Sequence, residues 1–243
     1  RLPRLIAEVC RREACDMMLL AGDIFDNPQP ARGTVETLKS ALAQCDVPVF
    51  ISPGNHDYCS SDSPWLTEHW PKNVHIFTGS LSYADVEALD CRVYGAGYKS
   101  MDCQGLLEGF RAEGNARWCV GVLHGDPMNL TSPCCPVSAA QVRESGLDYL
   151  AMGHIHAKGS YRAGTVCAWP GCPMGRGWDE TGEKGVYIVE LEEAASLRFL
   201  PLGLPQFHSE TAVIRTDALS ALEAVLPATS SPDFFRVTLT GSG

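Results

Sequence analysis

Apolar residues at the start of the chain recur at helical spacing and then close up into an unbroken run. In RLPRLIAEVCRREACD, Leu2, Leu5, Ile6, Val9 and Cys10 fall on one helical face, and MMLLA follows directly, so the pattern predicts a helix feeding a buried strand. The alternation continues with TVETLKSALAQ then VPVFIS, QGLLEGFRAEG then WCVGVLHG, and VSAAQVRESG then YLAMGH. Helices alternating with short apolar strands imply an α/β sheet. KGVYIVELE and SLRFLPL then follow one another with no helix between them, the signature of a hairpin, so the sheets are mixed or there are two of them. From about Pro205, FHSETAVIRT, DALSALEAVL and FFRVTLTG give strand, helix and strand after a stretch rich in Gly and Pro, which predicts a second, smaller domain over 205–243 beside a main domain over 1–204.

Composition narrows the class without naming the chemistry. The 243 residues, 45% hydrophobic and 20% charged, suffice for one large domain with an appendage. No apolar run approaches the ~18 residues of a membrane span, and the N-terminus lacks the regions of a signal peptide, so a cytoplasmic protein without a membrane partner is expected. Eleven cysteines are odd in number, scattered and free of paired CxxC spacing; most are expected to serve as small buried hydrophobes. The formal charge of -10 disfavours broad electrostatic binding to nucleic acid by this chain alone. The chain opens on Arg1 and stops at VTLTGSG, and both ends are expected to be cut from something longer.

Chemistry concentrates where apolar runs end. Ligands of open α/β sheets gather at the carboxyl ends of strands. Four such ends, LLAGDIFDN, VFISPGNHDY, VGVLHGD and LAMGHIH, carry Asp23 and Asp26, then Asn55, His56 and Asp57, then His124, then His154 and His156. Carboxylate, amide and imidazole without thiolate suit divalent Mn, Fe or Zn. Asp23 has two oxygens and could bridge two cations ~3.5–4 Å apart, the spacing that clamps a displacement at phosphorus. Residues two apart on extended backbone share a face, so His154 and His156 can reach neighbouring ions. Glycines before Asp23, Asn55 and His154 fit the tight turns such a site needs. Taken singly, each motif reads as a turn or a satisfied polar residue. Asp26 is read as a supporting residue rather than a direct ligand, Asp57 as either a turn cap or the group that orients His56. His69, His75 and His208 have no partner motif and are read as surface or satisfied core residues.

In the order GDIFD, GNHD, a later His before Gly, and GHIH, these motifs resemble the calcineurin-like metallophosphoesterase superfamily. AGDIFDN and WPGCPMGRGWDETGEKGVYIVEL are similar to its DNA repair exonuclease branch, the SbcD-like nuclease subunits that work with an ATPase partner. The resemblance covers about Leu2 to Leu202. It implies a sandwich of two mixed β-sheets flanked by helices, followed by the start of a small α+β capping domain. It implies two divalent ions, with Mn2+ first and Fe2+ or Zn2+ as alternatives. Asp23 would bridge them, Asn55, His124 and His154 would complete one, and His156 would ligate the other. His56 and Asp57 would serve catalysis, the His56 imidazole stabilising charge or protonating the leaving oxygen. DNA and an SbcC-like ATPase would be the partners, with a homodimer as a further expectation. Arg176, in the loop MGRGWDE, is read either as a fork-shaped donor to a substrate phosphate or as a solvated loop residue, and Trp178 as either packed or stacked on a base.

One departure from the family pattern bears on the second ion. The Asp-x-His motif that opens the family, just before the helix with which this sequence begins, is absent, leaving that ion only Asp23 and His156. Truncation is the expected cause, with a one-metal or inactive relative as the alternative, and one ion should bind more firmly than the other. Two rival functions stay open: hydrolysis of a small or cyclic phosphodiester, and a non-catalytic scaffold that docks an ATPase.

Overall fold

The computed structural model describes residues 2–241; Arg1, with which the expected first helix opens, and Ser242 and Gly243 lie outside the described residues. Helix α1 (Leu2–Arg12) leads into strand β1 (Met18–Leu20), and α2 (Arg32–Leu42) into β2 (Val49–Ile51). With β3 (Val74–Ile76) these strands make a three-stranded parallel sheet in the order β1-β2-β3. The apolar faces of both helices close on it: Ala7, Cys10, Val35, Leu38 and Leu42 pack with Met18, Val49 and Ile51 in one core cluster. Full burial of a side chain such as Ile51 is worth ~1.5–3 kcal/mol, so a three-residue strand holds its place through packing rather than length.

A six-stranded mixed sheet follows, built from β4 (Ser82–Val86), β5 (Cys91–Gly95), β6 (Trp118–His124), β7 (Tyr149–Gly153), β8 (Gly159–Ala163) and β9 (Thr165–Trp169), in the order β4-β5-β6-β7-β9-β8. Its four central strands are parallel and its two edge strands antiparallel. Helix α4 (Ala139–Glu144), in a chain where the short α3 spans Pro64–Thr67, starts with a capping box in which Ser138 and Gln141 exchange side-chain and backbone bonds. The expected mixed α/β architecture of several sheets flanked by helices is thus present, the three-stranded sheet being purely parallel.

QGLLEGFRAEG departs from expectation: it forms turns rather than a helix. Gly105, Gly109 and Gly114 all take positive φ, at 68°, 65° and 111°, which a right-handed helix excludes. The apolar Leu106, Leu107 and Phe110, read as a helical stripe, pack into the core from those turns.

The described residues form two compact units. The first takes in the chain to Ile155 with Gly159–Trp169 and Ile188–Arg198; the second takes in His156–Lys158, Pro170–Tyr187 and the chain from Phe199. Strands β10 (Gly185–Leu191) and β11 (Ala195–Pro201), the expected hairpin, pair with each other. In the second unit, β12 (Phe207–Ile214), α5 (Ala218–Glu223) and β13 (Phe234–Gly241) make a βαβ turn with parallel strands in register from Phe207↔Phe234 to Ile214↔Gly241. All eleven cysteines are free thiols, and seven of them are buried, as small hydrophobes would be.

Candidate metal centre

Parallel pairing places the site. His124 ends β6 opposite Gly153 at the end of β7, so His154 follows directly beside it. In the other sheet, β1 and β2 end together at Leu20↔Ile51, which sends Ala21–Asp23 and Ser52–Asn55 off side by side. The ends are tied across the sheets: Ser52 Oγ and Ala96 O form a short hydrogen bond, and the Tyr98 N–H donates to Pro53 O at 3.2 Å.

Close approach there requires glycine. A Cβ on Gly22 (φ 81°) would lie 2.6 Å from His124 Nδ1, and one on Gly54 would lie 2.7 Å from the same atom. Asp23 and His154, by contrast, hold positive φ of 51° and 88° with full side chains. Such conformations cost of order ~1–3 kcal/mol each and persist where surrounding structure enforces them, often at functional sites.

Asp57 supplies much of that enforcement. It is fully buried, and its Oδ1 accepts the N–H groups of Gly54 (2.7 Å) and Asp23 (3.2 Å) while its Oδ2 accepts those of Ile24 (2.8 Å) and Phe25 (3.2 Å). Burial pushes the Asp57 carboxyl above the ordinary range, against the pull of the donors from Gly54, Phe25 and Ile24. Asp57, expected either to cap a turn or to orient the His56 imidazole, meets backbone N–H groups of both turns. Both oxygens are committed to backbone, and they knit the two ligand loops together.

The ligand atoms face one another. His124, fully buried, directs Nδ1 at Ala21 O (2.8 Å) and Nε2 at Asn55 Oδ1 (2.9 Å) and Asp23 Oδ2 (3.3 Å). Its ring meets that of His154 edge-on at 5.3 Å. A carbonyl only accepts, so Nδ1 carries the proton in the neutral ring, and the Nε2 lone pair then points at two further acceptors. Three acceptors turned on one point repel unless a cation lies among them. Their separations match the ~3.0–3.4 Å between neighbouring ligands held ~2.1 Å from one ion. Asp23, His124 and His154 offer ligand atoms all within 4.8 Å of one another. The donor set therefore fits a divalent transition metal. Burial pushes the Asp23 carboxyl up, but in the metal-free site a proton on His124 Nε2, through its hydrogen bond and charge, and the His56 N–H outweigh it, holding Asp23 below its ordinary value. A bound cation acts in the same direction.

Residues 1–158 match the Calcineurin-like phosphoesterase family. The chain belongs to that family. The Uncharacterized metallophosphoesterase YhaO of Bacillus subtilis (strain 168) is 31% identical over 202 residues, with 77% of this chain and 48% of that protein covered. The chain thus spans about half the length of this curated relative. A solved crystal structure is similar over 70% of this chain and 84% of its own at 15% identity with a TM-score of 0.48.

Members of a metallophosphoesterase family bind divalent metals, and this member brings Asp23, Asn55, His124 and His154 together in its first unit. His56 stands next to them: its N–H donates to Asp23 Oδ1 at 2.9 Å, and the residue is exposed. Asp26 is exposed three residues beyond Asp23, past the ligand turn. His156 lies in the second unit with its ring against Glu180. Arg176 also belongs to that unit, its N–H bonded to Glu180 Oε2 at 2.8 Å. Trp178 packs edge-on against Phe207 at 5.0 Å.

Sequence reasoning passed over two carboxylates. Asp126 is buried two residues after His124; its Oδ1 accepts the N–H groups of Met128 (2.9 Å) and Asn129 (2.8 Å), and its Oδ2 stands 3.8 Å from His154 Nε2. The signal was present in LHGDP, where the spacing matches that of the His154 and His156 pair. Glu180, the other, sits in a loop whose polar composition disguises burial. No helix among the described residues is long and apolar enough to cross a membrane.

Proposed function

We propose that the chain is a metal-dependent phosphodiesterase, the nuclease subunit of a cytoplasmic DNA-processing complex whose partner is an ATPase. The observation that carries the hydrolytic reading is the convergence of Asp23, Asn55, His124 and His154 on one point, with an exposed imidazole, His56, on the adjoining turn. When bound, divalent cations supply Lewis acidity and make water acidic enough to react near neutral pH.

The protein's own groups do the rest. Asp57 fixes the two ligand loops, so Asp23 and Asn55 need little reorganisation on binding. The Ala21 carbonyl holds the proton of His124 on Nδ1 and keeps Nε2 available. His56, tethered through its backbone to the Asp23 carboxylate, presents a ring N–H that can donate to the leaving oxygen. Mn2+ is proposed as the ion at this centre, with His156 as a donor to a second one.

DNA is favoured over a small phosphodiester by the loop GRGWDETGEKG, similar to that of SbcD-like nucleases, and by the βαβ segment from Phe207 to Gly241. The net charge of -10 fits a subunit whose duplex-binding surface a partner completes. The test is manganese-dependent cleavage of labelled linear duplex compared with cyclic nucleotides and a nitrophenyl phosphodiester. Cleavage of DNA ends supports the proposal. Efficient turnover of cyclic nucleotides with intact DNA would replace the substrate, and no manganese-dependent hydrolysis of any of the three would favour the scaffold.

A further inference from the structure

We propose that Glu180 is a positioning residue that sets the His156 ring with Nε2 free to bind a divalent cation. This rests on the phosphodiesterase reading for the identity of the ligand, but its geometry lies wholly within the second unit. His156 Nδ1 is 2.7 Å from Glu180 Oε1, and the two side chains are 54% and 6% exposed. A buried carboxylate is costly unless its oxygens are satisfied. The other oxygen of Glu180 accepts the Arg176 N–H at 2.8 Å, so the carboxylate is held from one side and holds the ring on the other.

The backbone is fixed as well. The Cys172 N–H donates to His156 O at 3.1 Å, and a Cβ on Gly171 (φ 78°) would lie 3.0 Å from the His156 carbonyl carbon. The loop carrying Glu180 is thus closed on His156 at both its backbone and its ring. Glu180 folds back through its own N–H, which donates to Gly177 O at 3.1 Å.

An ionised carboxylate accepts and does not donate. In the neutral ring the proton therefore sits on Nδ1, and the lone pair on Nε2, the atom turned away from Glu180. Carboxylate, imidazole and metal in that order is how proteins raise the basicity of a ligating histidine and fix its tautomer. Burial of Glu180 alongside exposure of His156 is the arrangement expected when the carboxylate serves the ring and the ring serves something outside.

Glu180→Gln tests this sharply because the His156 ring and the Arg176 N–H meet different side-chain oxygens, and glutamine keeps an acceptor at only one of the two positions. If the amide oxygen keeps the Arg176 N–H, the amino group faces Nδ1 and the proton moves to Nε2, blocking the ligand atom. The first measurement is the tautomer of His156 by nitrogen-15 NMR of the metal-free full chain, which requires no variant and no activity. The wild type should carry its proton on Nδ1, and E180Q should shift the population toward Nε2–H. Calorimetric titration with Mn2+ alone should then show that E180Q weakens the weaker class of site between ~10- and ~100-fold, as H156A does, with no further loss in the double variant. A wild-type ring protonated on Nε2, or an E180Q variant whose tautomer and manganese isotherm match the wild type, would overturn the proposal. A wild type with the stated tautomer that takes up no manganese at any site would instead remove the phosphodiesterase reading, and with it the cation assigned to Nε2.

Discussion

Asp57→Asn separates a residue that organises the site from one that performs chemistry in it. The carboxylate takes two backbone N–H groups on each oxygen, from Gly54 and Asp23 on one and from Ile24 and Phe25 on the other. Asparagine keeps only one oxygen, so whichever way the amide turns, two buried N–H groups face an amino group instead of an acceptor. Hydrogen bonds to a charged group contribute ~1.5–3 kcal/mol each, which puts the loss of two at roughly 3–6 kcal/mol. Burial holds the Asp57 charge at a cost, and its removal offsets part of that loss, leaving about 2–4 kcal/mol. Against a typical total of ~5–15 kcal/mol, the variant folds but is markedly weakened. With a urea slope of ~2 kcal/mol/M, the midpoint should fall by ~1–2 M, and manganese affinity should fall with it because the two ligand loops lose their common anchor. A D57N variant with the wild-type urea midpoint and metal affinity, but reduced turnover, would refute this reasoning and return Asp57 to a direct catalytic role.

Other perturbations separate the remaining parts of the account. His56→Ala should lower kcat by ~10²–10⁴-fold while leaving the calorimetric manganese isotherm intact; loss of metal binding would make His56 a ligand instead. Ser138→Ala removes the side-chain half of the capping box on α4 and should cost ~1 kcal/mol in urea unfolding without changing turnover. In acid, the Arg92 guanidinium beside Asp85 and the Lys39 ammonium beside Glu68 hold those carboxyls below their ordinary values. Their folded-state values being depressed, the stabilisation is complete above the unfolded value of ~4 and is lost as pH falls through the folded value. The stability difference between the wild type and Asp85→Asn should therefore close as pH drops from 6 to 2, and a gap that persists at the lowest pH would contradict the pairing.

The parts of the fold that read well from sequence are those where one physical rule dominates. Each of Leu20, Ile51, His124 and Gly153 closes a buried parallel strand, and such strands announce themselves as unbroken apolar runs. The polar residues just beyond them were legible for the same reason. QGLLEGFRAEG misled because Leu106 and Leu107 with Phe110 sit at helical spacing while its glycines dictate the backbone, and the conformational demand of Gly105 and Gly109 prevailed over the apolar pattern. Strand β4 escaped notice since Ser82–Val86 is an exposed edge with little alternation, fixed by pairing with β5 rather than by its own residues. The role of Asp57 was hidden because three of its four partners are backbone N–H groups more than thirty residues away, which carry no side-chain signature. Glu180 was hidden likewise, its burial being a property of the loop's closure on His156.

The central claim is that Asp23, Asn55, His124 and His154 surround a cation. Crystals grown with Mn2+ and measured at the manganese absorption edge test it directly. The account predicts an anomalous peak within bonding distance, ~2.0–2.3 Å, of a carboxylate oxygen of Asp23, Asn55 Oδ1, His124 Nε2 and a ring nitrogen of His154. A structure in which that point stays empty at saturating manganese, with His124 Nε2 bearing a proton donated to Asn55, would contradict it.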